Sequence, residues 1–360
     1  MNMMDKIGIS LIWVFWMMSV SAVEGQIISE YNPTHGSTFD RVNKRGYVIC
    51  GTNDEFPGFS RESWSSEDGS RWGGFDVDIC RAIAAAMFGD AEAIEFTIVN
   101  GKTRFEFLID GSIDILSAAT TYTFTRNVAK KLEFMPTTFY DGQGFIVRKT
   151  LGVSSAKQME GARICFSGTG TAAKNIADFM ELHGISYIPV AVKSTEKTKN
   201  VYKRGDCDMY GTDRSGLASN RLSFDDPDRH MILPEIISKE PLGPVVRYGD
   251  QKWSDVIRWT VYVLFIAEEM GINSQNIDSF KNNIDPNIQR FMGEKNGKDH
   301  PHLGAKLGLG ATWSYNIIKQ VGNYREIYER NVGENTSLGL KRGLNRLYNH
   351  GGLLYAPPLK

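Results

Sequence analysis

The sequence predicts an α/β protein made of two related halves joined by two extended crossings, and three observations carry that prediction. A weak internal repeat is the first: Gly46-Tyr-Val-Ile-Cys-Gly-Thr-Asn53 is echoed by Gly161-Ala-Arg-Ile-Cys-Phe-Ser-Gly-Thr169, and Asp110 to Leu116 by Lys203 to Met209. Next, Asp141-Gly-Gln-Gly-Phe-Ile-Val-Arg148 and Leu242-Gly-Pro-Val-Val-Arg-Tyr248 are both glycine-led, apolar and extended, as strands carrying the chain out of one lobe and back would be. Finally, the strand-like run Ile113 to Leu116 breaks into Ser117-Ala-Ala-Thr-Thr-Tyr-Thr-Phe-Thr-Arg126, small and hydroxyl residues that suit a backbone left open to a ligand. Ligands of such folds sit between lobes at the carboxyl ends of strands, and a hinge there permits closure. The divisions expected are 1–22 as an export signal, 23–146 as the first part of lobe I, and 147–244 as lobe II. Residues 245–360 then return to lobe I as a helix with a C-terminal extension.

The amino terminus sets the compartment. Lys6 precedes an apolar-to-small run from Ile7 to Val23 that leaves through Val20-Ser-Ala22, which reads as a secretory signal cleaved near Ala22. An uncleaved anchor is the alternative, since the run approaches the lower length limit of a membrane span. No cysteine follows the run, which argues against a lipid anchor. With 360 residues, 41% of them hydrophobic, and a formal net charge of -1, the chain has the composition of a soluble globular protein and no overall pull toward nucleic acid.

Export places the four cysteines in an oxidising compartment. Cys50 closes a strand and Cys80 lies on the next helix; Cys165 closes the echoing strand and Cys207 follows the next helical segment. Parallel placement favours Cys50–Cys80 and Cys165–Cys207 among the three possible connectivities, with buried free thiols as the alternative. No CxxC spacing occurs, which argues against zinc or a thioredoxin-type centre.

Along the first half, Phe75, Ile79 and Ile83 recur in steps of four and put one helical face toward a sheet. Asp76 and Asp78 fall in that helix's first turn, where carboxylates complement the positive end; a metal or acid/base pair is the competing reading. Ser60 to Gly73 reads as an exposed hairpin or loop. In the second half, Ser167-Gly-Thr-Gly-Thr-Ala-Ala-Lys-Asn175 joins a strand to a helix. Its glycines permit close backbone approach and the free helix-start N–H groups can bind an anion, although the pattern is neither a Walker loop nor GxGxxG. Asp213 follows the strand Cys207 to Tyr210, either as an anion facing the cation Arg126 or as a helix N-cap. Ser254 to Met270 is a strongly apolar helix, too charged for a span, that Gly271 should cap. His300 and His302 lack a third ligand for a metal.

These residues are specific enough to support a resemblance. Gly74 to Asp90, Tyr140 to Arg148, Trp313-Ser-Tyr-Asn-Ile-Ile-Lys-Gln-Val-Gly-Asn-Tyr324 and Ala356-Pro-Pro358 resemble the family 3 solute-binding proteins of bacterial ABC importers, and most closely the general L-amino-acid-binding periplasmic proteins. The resemblance implies the type II periplasmic-binding-protein fold, two lobes hinged by two crossover strands. It also implies that a free L-amino acid is clamped and handed to the transmembrane subunits of a permease; a monomer without cofactor or catalysis is the expectation set beside it.

The resemblance implies a ligand set as well. Arg126, with the Thr121 hydroxyl and second-lobe amides from Gly168 through Gly170 to Thr171, would hold the α-carboxylate. Asp213 and a carbonyl near Ala119 would hold the α-ammonium, and Phe56 would cover the ligand. Three departures stand out. Gly170 replaces a usual threonine, whose hydroxyl contact Thr171 would take over; Ala119 replaces a frequent serine; and no aromatic occurs around Asn100 to Thr103, which implies a roomier or more polar pocket. Asp54 and Glu55 are candidates for favouring cationic side chains, with ordinary solvated loop positions as the other reading. A cyclohexadienyl or arogenate dehydratase on the same fold is the rival function, and it would need a pocket carboxylic acid near the leaving group.

Overall fold

Two five-stranded sheets of identical order organise the computed structural model, which describes residues 36–54, 56–62, 72–293 and 302–360. The expected signal at 1–22 with its cleavage near Ala22, most of the loop before Gly73, Glu55 and His300 lie outside the described residues. In the first sheet Ile94–Ile98, Val48–Thr52 and Ile115–Leu116 run parallel, Val245–Arg247 joins antiparallel, and Leu132–Phe134 forms the far edge. In the second, Tyr187–Val192, Ala162–Ser167 and Met209–Asp213 run parallel, followed by antiparallel Gln143–Arg148 and then His230–Ile232. The fourth strand of each sheet is the one that has just arrived from the other half. This mixed α/β architecture is that of the two-lobed type II binding proteins.

The crossings pair with each other before they enter their sheets. Phe139–Asp141 lies antiparallel to Glu240–Leu242, with Glu240 opposite Asp141, Pro241 opposite Tyr140 and Leu242 opposite Phe139. Each glycine-led stretch therefore holds the end of a ribbon and the start of a sheet strand. A boundary after 146 falls inside Gln143–Arg148, which pairs wholly within the second sheet, whereas one after 244 falls just ahead of Val245–Arg247. Gly142 stands between the ribbon strand Phe139–Asp141 and the sheet strand Gln143–Arg148.

The repeat is visible as a shared hydrogen-bond pattern, shifted by one residue from the alignment that the cysteines suggest. Asp114 accepts from the Ile49 amide at 2.8 Å, and Asp208 accepts from the Arg163 amide at 2.9 Å. Ile49 thus corresponds to Arg163, which makes Ile164 the counterpart of Cys50. Side chains alternate faces along a strand, so Cys165 points to the opposite side of its sheet from its apparent equivalent. Both expected disulfides form, but they are not equivalent: Cys50–Cys80 ties a strand to its following helix, and Cys165–Cys207 ties a strand to the entry of its neighbour. Loops of 30 and 42 residues are closed, worth about 3.5–4 kcal/mol each by the chain-entropy argument.

Phe75–Phe88 carries Phe75, Ile79 and Ile83 fully buried, as the spacing predicts, yet Ala82, Ala84, Ala85 and Ala86 are buried too. The later helix Trp313–Val321 packs against Phe75–Phe88, and short alanine side chains allow helices to approach closely. Asp76 and Asp78 are structural. Asp76 accepts from the Ser117 hydroxyl at 3.0 Å and the Ala119 amide at 2.8 Å, while Asp78 takes Arg330 Nε at 2.9 Å and Asn331 Nδ2 at 2.6 Å. The apolar stretch after Asp250 is the helix Gln251–Glu269, N-capped by the Asp250 side chain, with Gly271 beyond its end at φ 69°. Among the described residues no helix is long and apolar enough to cross a membrane.

Candidate functional site

A cavity of about 610 Å³ opens between the two sheets where their parallel strands end. Its first wall is the loop after Ile115–Leu116. Ala119 holds a left-handed backbone (φ 43°), a conformation costly for a residue with a Cβ, and its amide is anchored by the buried Asp76 carboxylate. Thr121 bridges to Leu242 on the ribbon, and the Tyr122 amide donates to Pro241 O at 2.8 Å, so the loop is stitched to the hinge. Arg126 follows in the π-helical turn Thr125–Ala129, a rare geometry that recurs at functional sites. It is 8% exposed, donates from Nη1 to Thr121 O at 2.7 Å, and lies over the Phe105 ring at 5.4 Å. Burial lowers its pKa from the usual arginine value, while Glu240 and Asp213 act the other way.

The second wall comes from the other half. Asp213 is the last residue of its strand, and as N-cap of the helix Arg214–Leu222 it makes no side-chain capping bond, leaving the carboxylate to the cavity. Ser215 N, in that helix's first turn, instead donates to Asp141 at 3.1 Å. Burial, followed by the charges of Asp141 and Glu240, drives the Asp213 carboxyl well above the ordinary aspartate range, only partly offset by Arg126 and Arg104. Asp141 is also raised, chiefly by burial. Glu240 accepts from Thr171 Oγ1 at 3.2 Å, Asn175 Nδ2 at 2.6 Å and Ser238 Oγ at 2.8 Å. The ribbon thus places carboxylates directly behind the cavity.

Of the residues singled out in the sequence, Phe56, Ala119, Thr121, Arg126, Gly170, Thr171 and Asp213 all line this one cavity. Gly168 does not: its amide donates to Val192 O at 2.9 Å and belongs to the second sheet's edge. Thr171's hydroxyl proton goes to Glu240, and Gly170 has open space where a side chain would stand. Phe56 stacks on Phe59 with centroids 4.4 Å apart. Asp54 lines the cavity, whereas His302 turns its Nδ1 to the Ala305 amide; among the described residues no cluster of three metal-ligating side chains occurs. Three site residues escaped the sequence reading: Arg104, Asp141 and Glu240. The last two carry no local signal, because they become neighbours only when the two crossings pair as a ribbon.

The halves are in contact over the cavity mouth. A Cβ built on Gly101 would come within 2.3 Å of Thr169 Oγ1, and one on Gly216 within 3.8 Å of the Phe56 ring. Two lobes meeting over a polar, charged cavity and joined through a paired ribbon make a clamp for a small polar solute. The chain belongs to the bacterial extracellular solute-binding proteins, family 3, whose model matches residues 48–334. It is 46% identical over 324 residues to the general L-amino acid-binding periplasmic protein AapJ of Rhizobium johnstonii, covering 90% of this chain and 93% of that one. It is 42% identical over 325 residues to the glutamate/glutamine/aspartate/asparagine-binding protein BztA of Rhodobacter capsulatus, covering 90% and 94%. A solved ABC-transporter periplasmic binding protein from Brucella ovis with glutathione bound superposes with a TM-score of 0.86 at 42% identity, covering 91% of this chain and all of that one.

Proposed function

We propose that this protein is the periplasmic binding component of an amino-acid ABC transporter, closing as a monomer on a free L-amino acid and delivering it to the membrane subunits. One observation carries the reading: a buried arginine from one half and a partly buried aspartate from the other face a common cavity. Arg126's fork suits an α-carboxylate and Asp213 suits an α-ammonium, so a zwitterion links the lobes that hold its two ends. The ligands named for the relatives, general L-amino acids, four acidic and amide amino acids, and glutathione, share that zwitterionic head and support the reading. A thermal-shift screen of ligand-free mature protein against the twenty amino acids tests it. At a hundred times Kd the folded state gains about 2.7 kcal/mol, or roughly 4 °C for a chain of this length. No shift with any of them would refute the proposal.

A pH dependence follows from the raised Asp213 carboxyl. As pH falls toward the ordinary aspartate range, Asp213 takes up a proton before that range is reached and loses the charge that attracts the ammonium, so affinity falls with it. Binding in the window above that range releases a proton, and calorimetry in two buffers of different ionisation enthalpy measures it. Affinity flat across this window with no proton released would remove Asp213 from the ammonium seat. The same raised carboxyl would suit a general acid, so prephenate and arogenate are the substrates to assay; turnover of either would favour the dehydratase reading.

A further inference from the structure

The cavity contains a second arginine that the zwitterionic head of an amino acid does not require. Arg104 opens the helix Arg104–Asp110 and packs its guanidinium over Phe105 at 4.8 Å, the ring that also carries Arg126. Its Nη1 makes one long contact, 3.4 Å to Thr120 Oγ1, and its Nε is shut off from solvent without a hydrogen-bond partner among the described residues. A guanidinium has five donors, so most of this fork is left to whatever enters the cavity. Neither Arg104 nor Arg126 forms a protein ion pair at salt-bridge distance among the described residues. Two like charges kept together in a low-dielectric cleft repel one another. Burial and then Arg126 push the Arg104 pKa down to about 9, which still leaves it charged at neutral pH.

We propose that Arg104 seats a second carboxylate on the ligand, so that the preferred solutes are α-amino acids with an anionic far end, glutamate-like rather than neutral. The proposal rests on the amino-acid reading above. Arg126 and Asp213 are matched by the ligand's head; Arg104 and the lysines Lys102, Lys193 and Lys197 then face only Asp54 among the cavity's other charged residues. Those lysines are exposed at the mouth, where they steer an anion inward rather than hold it. At about 610 Å³ the cavity lies well inside the range of about 300–1,000 Å³ that holds drug-sized ligands, so a side chain reaching past the head fits.

Calorimetry of the mature protein with L-glutamate, L-glutamine and L-leucine tests this. Wild type should bind glutamate most tightly. Arg104→Gln should weaken glutamate about tenfold or more and glutamine by less than about threefold, and Arg104→Lys should keep more of the glutamate preference. The ratio of the two affinities is independent of the fraction of protein folded, so it survives a destabilised variant. A wild type preferring glutamine, or a loss equal for glutamate and glutamine, overturns the second subsite and leaves amino-acid binding standing. Wild type that binds none of the three overturns the amino-acid reading, and the subsite with it.

Discussion

Arg126→Ala is expected to weaken the tightest amino-acid ligand by more than about a hundredfold, and Asp213→Asn by a similar factor. The size of the effect comes from burial. Arg126 is 8% exposed, so the carboxylate it would meet is also removed from water, and truncation strands that charge instead of returning it to solvent. Part of any loss at Arg126 comes from its second task, since the Nη1 bond to Thr121 O also fixes the loop that carries Thr121. Arg126→Lys separates the two effects: it keeps a charge but not the planar fork, and should fall between wild type and alanine. Asp213→Asn is the cleaner change because shape and burial stay nearly constant while the charge disappears. The same variant should abolish the proton release expected on binding. Isothermal titration with a melting curve as a folding control reads both, and unchanged affinity in both Arg126→Ala and Asp213→Asn would sink the site assignment.

Much of this was legible because it is encoded locally. A run of strand type ending in small and hydroxyl residues and then Arg126 is a contiguous signal, and so is the glycine-rich turn after Cys165 that brings Gly170 and Thr171 to the cavity. What the sequence hid depends on pairing between distant segments. Asp141 and Glu240 are neighbours only because the crossings form a ribbon, and nothing local marks them as a carboxylate pair behind Asp213. Arg104 reads as an ordinary helix-start cation until the fold turns it onto Phe105 beside Arg126. The cysteines show the opposite case: the right pairs were inferred from a parallel placement that the strand register shifts by one residue. The missing aromatic around Asn100 to Thr103, read as a roomier pocket, has a second meaning, since Gly101 there touches the other lobe.

Gly101→Ala is expected to weaken ligand binding between about fivefold and a hundredfold while leaving the folded state intact. The glycine is not required for its backbone, which avoids the left-handed region; it is required for space, because an added Cβ would stand 2.3 Å from Thr169 Oγ1 and 2.8 Å from Thr169 Cβ. Thr169 has limited room to yield, since its hydroxyl is held by Ser167 Oγ at 3.0 Å. Overpacking of this kind costs about 1–3 kcal/mol, and here the cost falls only on the state in which the lobes touch. A ligand that closes the clamp must then supply that energy, and at about 1.4 kcal/mol per decade the stated range follows. Removing the opposing side chain gives the control. Thr169→Gly added to Gly101→Ala should restore most of the affinity, because the clash needs both partners. Small-angle scattering with saturating ligand should show a wider particle for Gly101→Ala than for wild type. If the single variant binds as tightly and closes as fully as wild type, the contact between Gly101 and Thr169 does not limit closure.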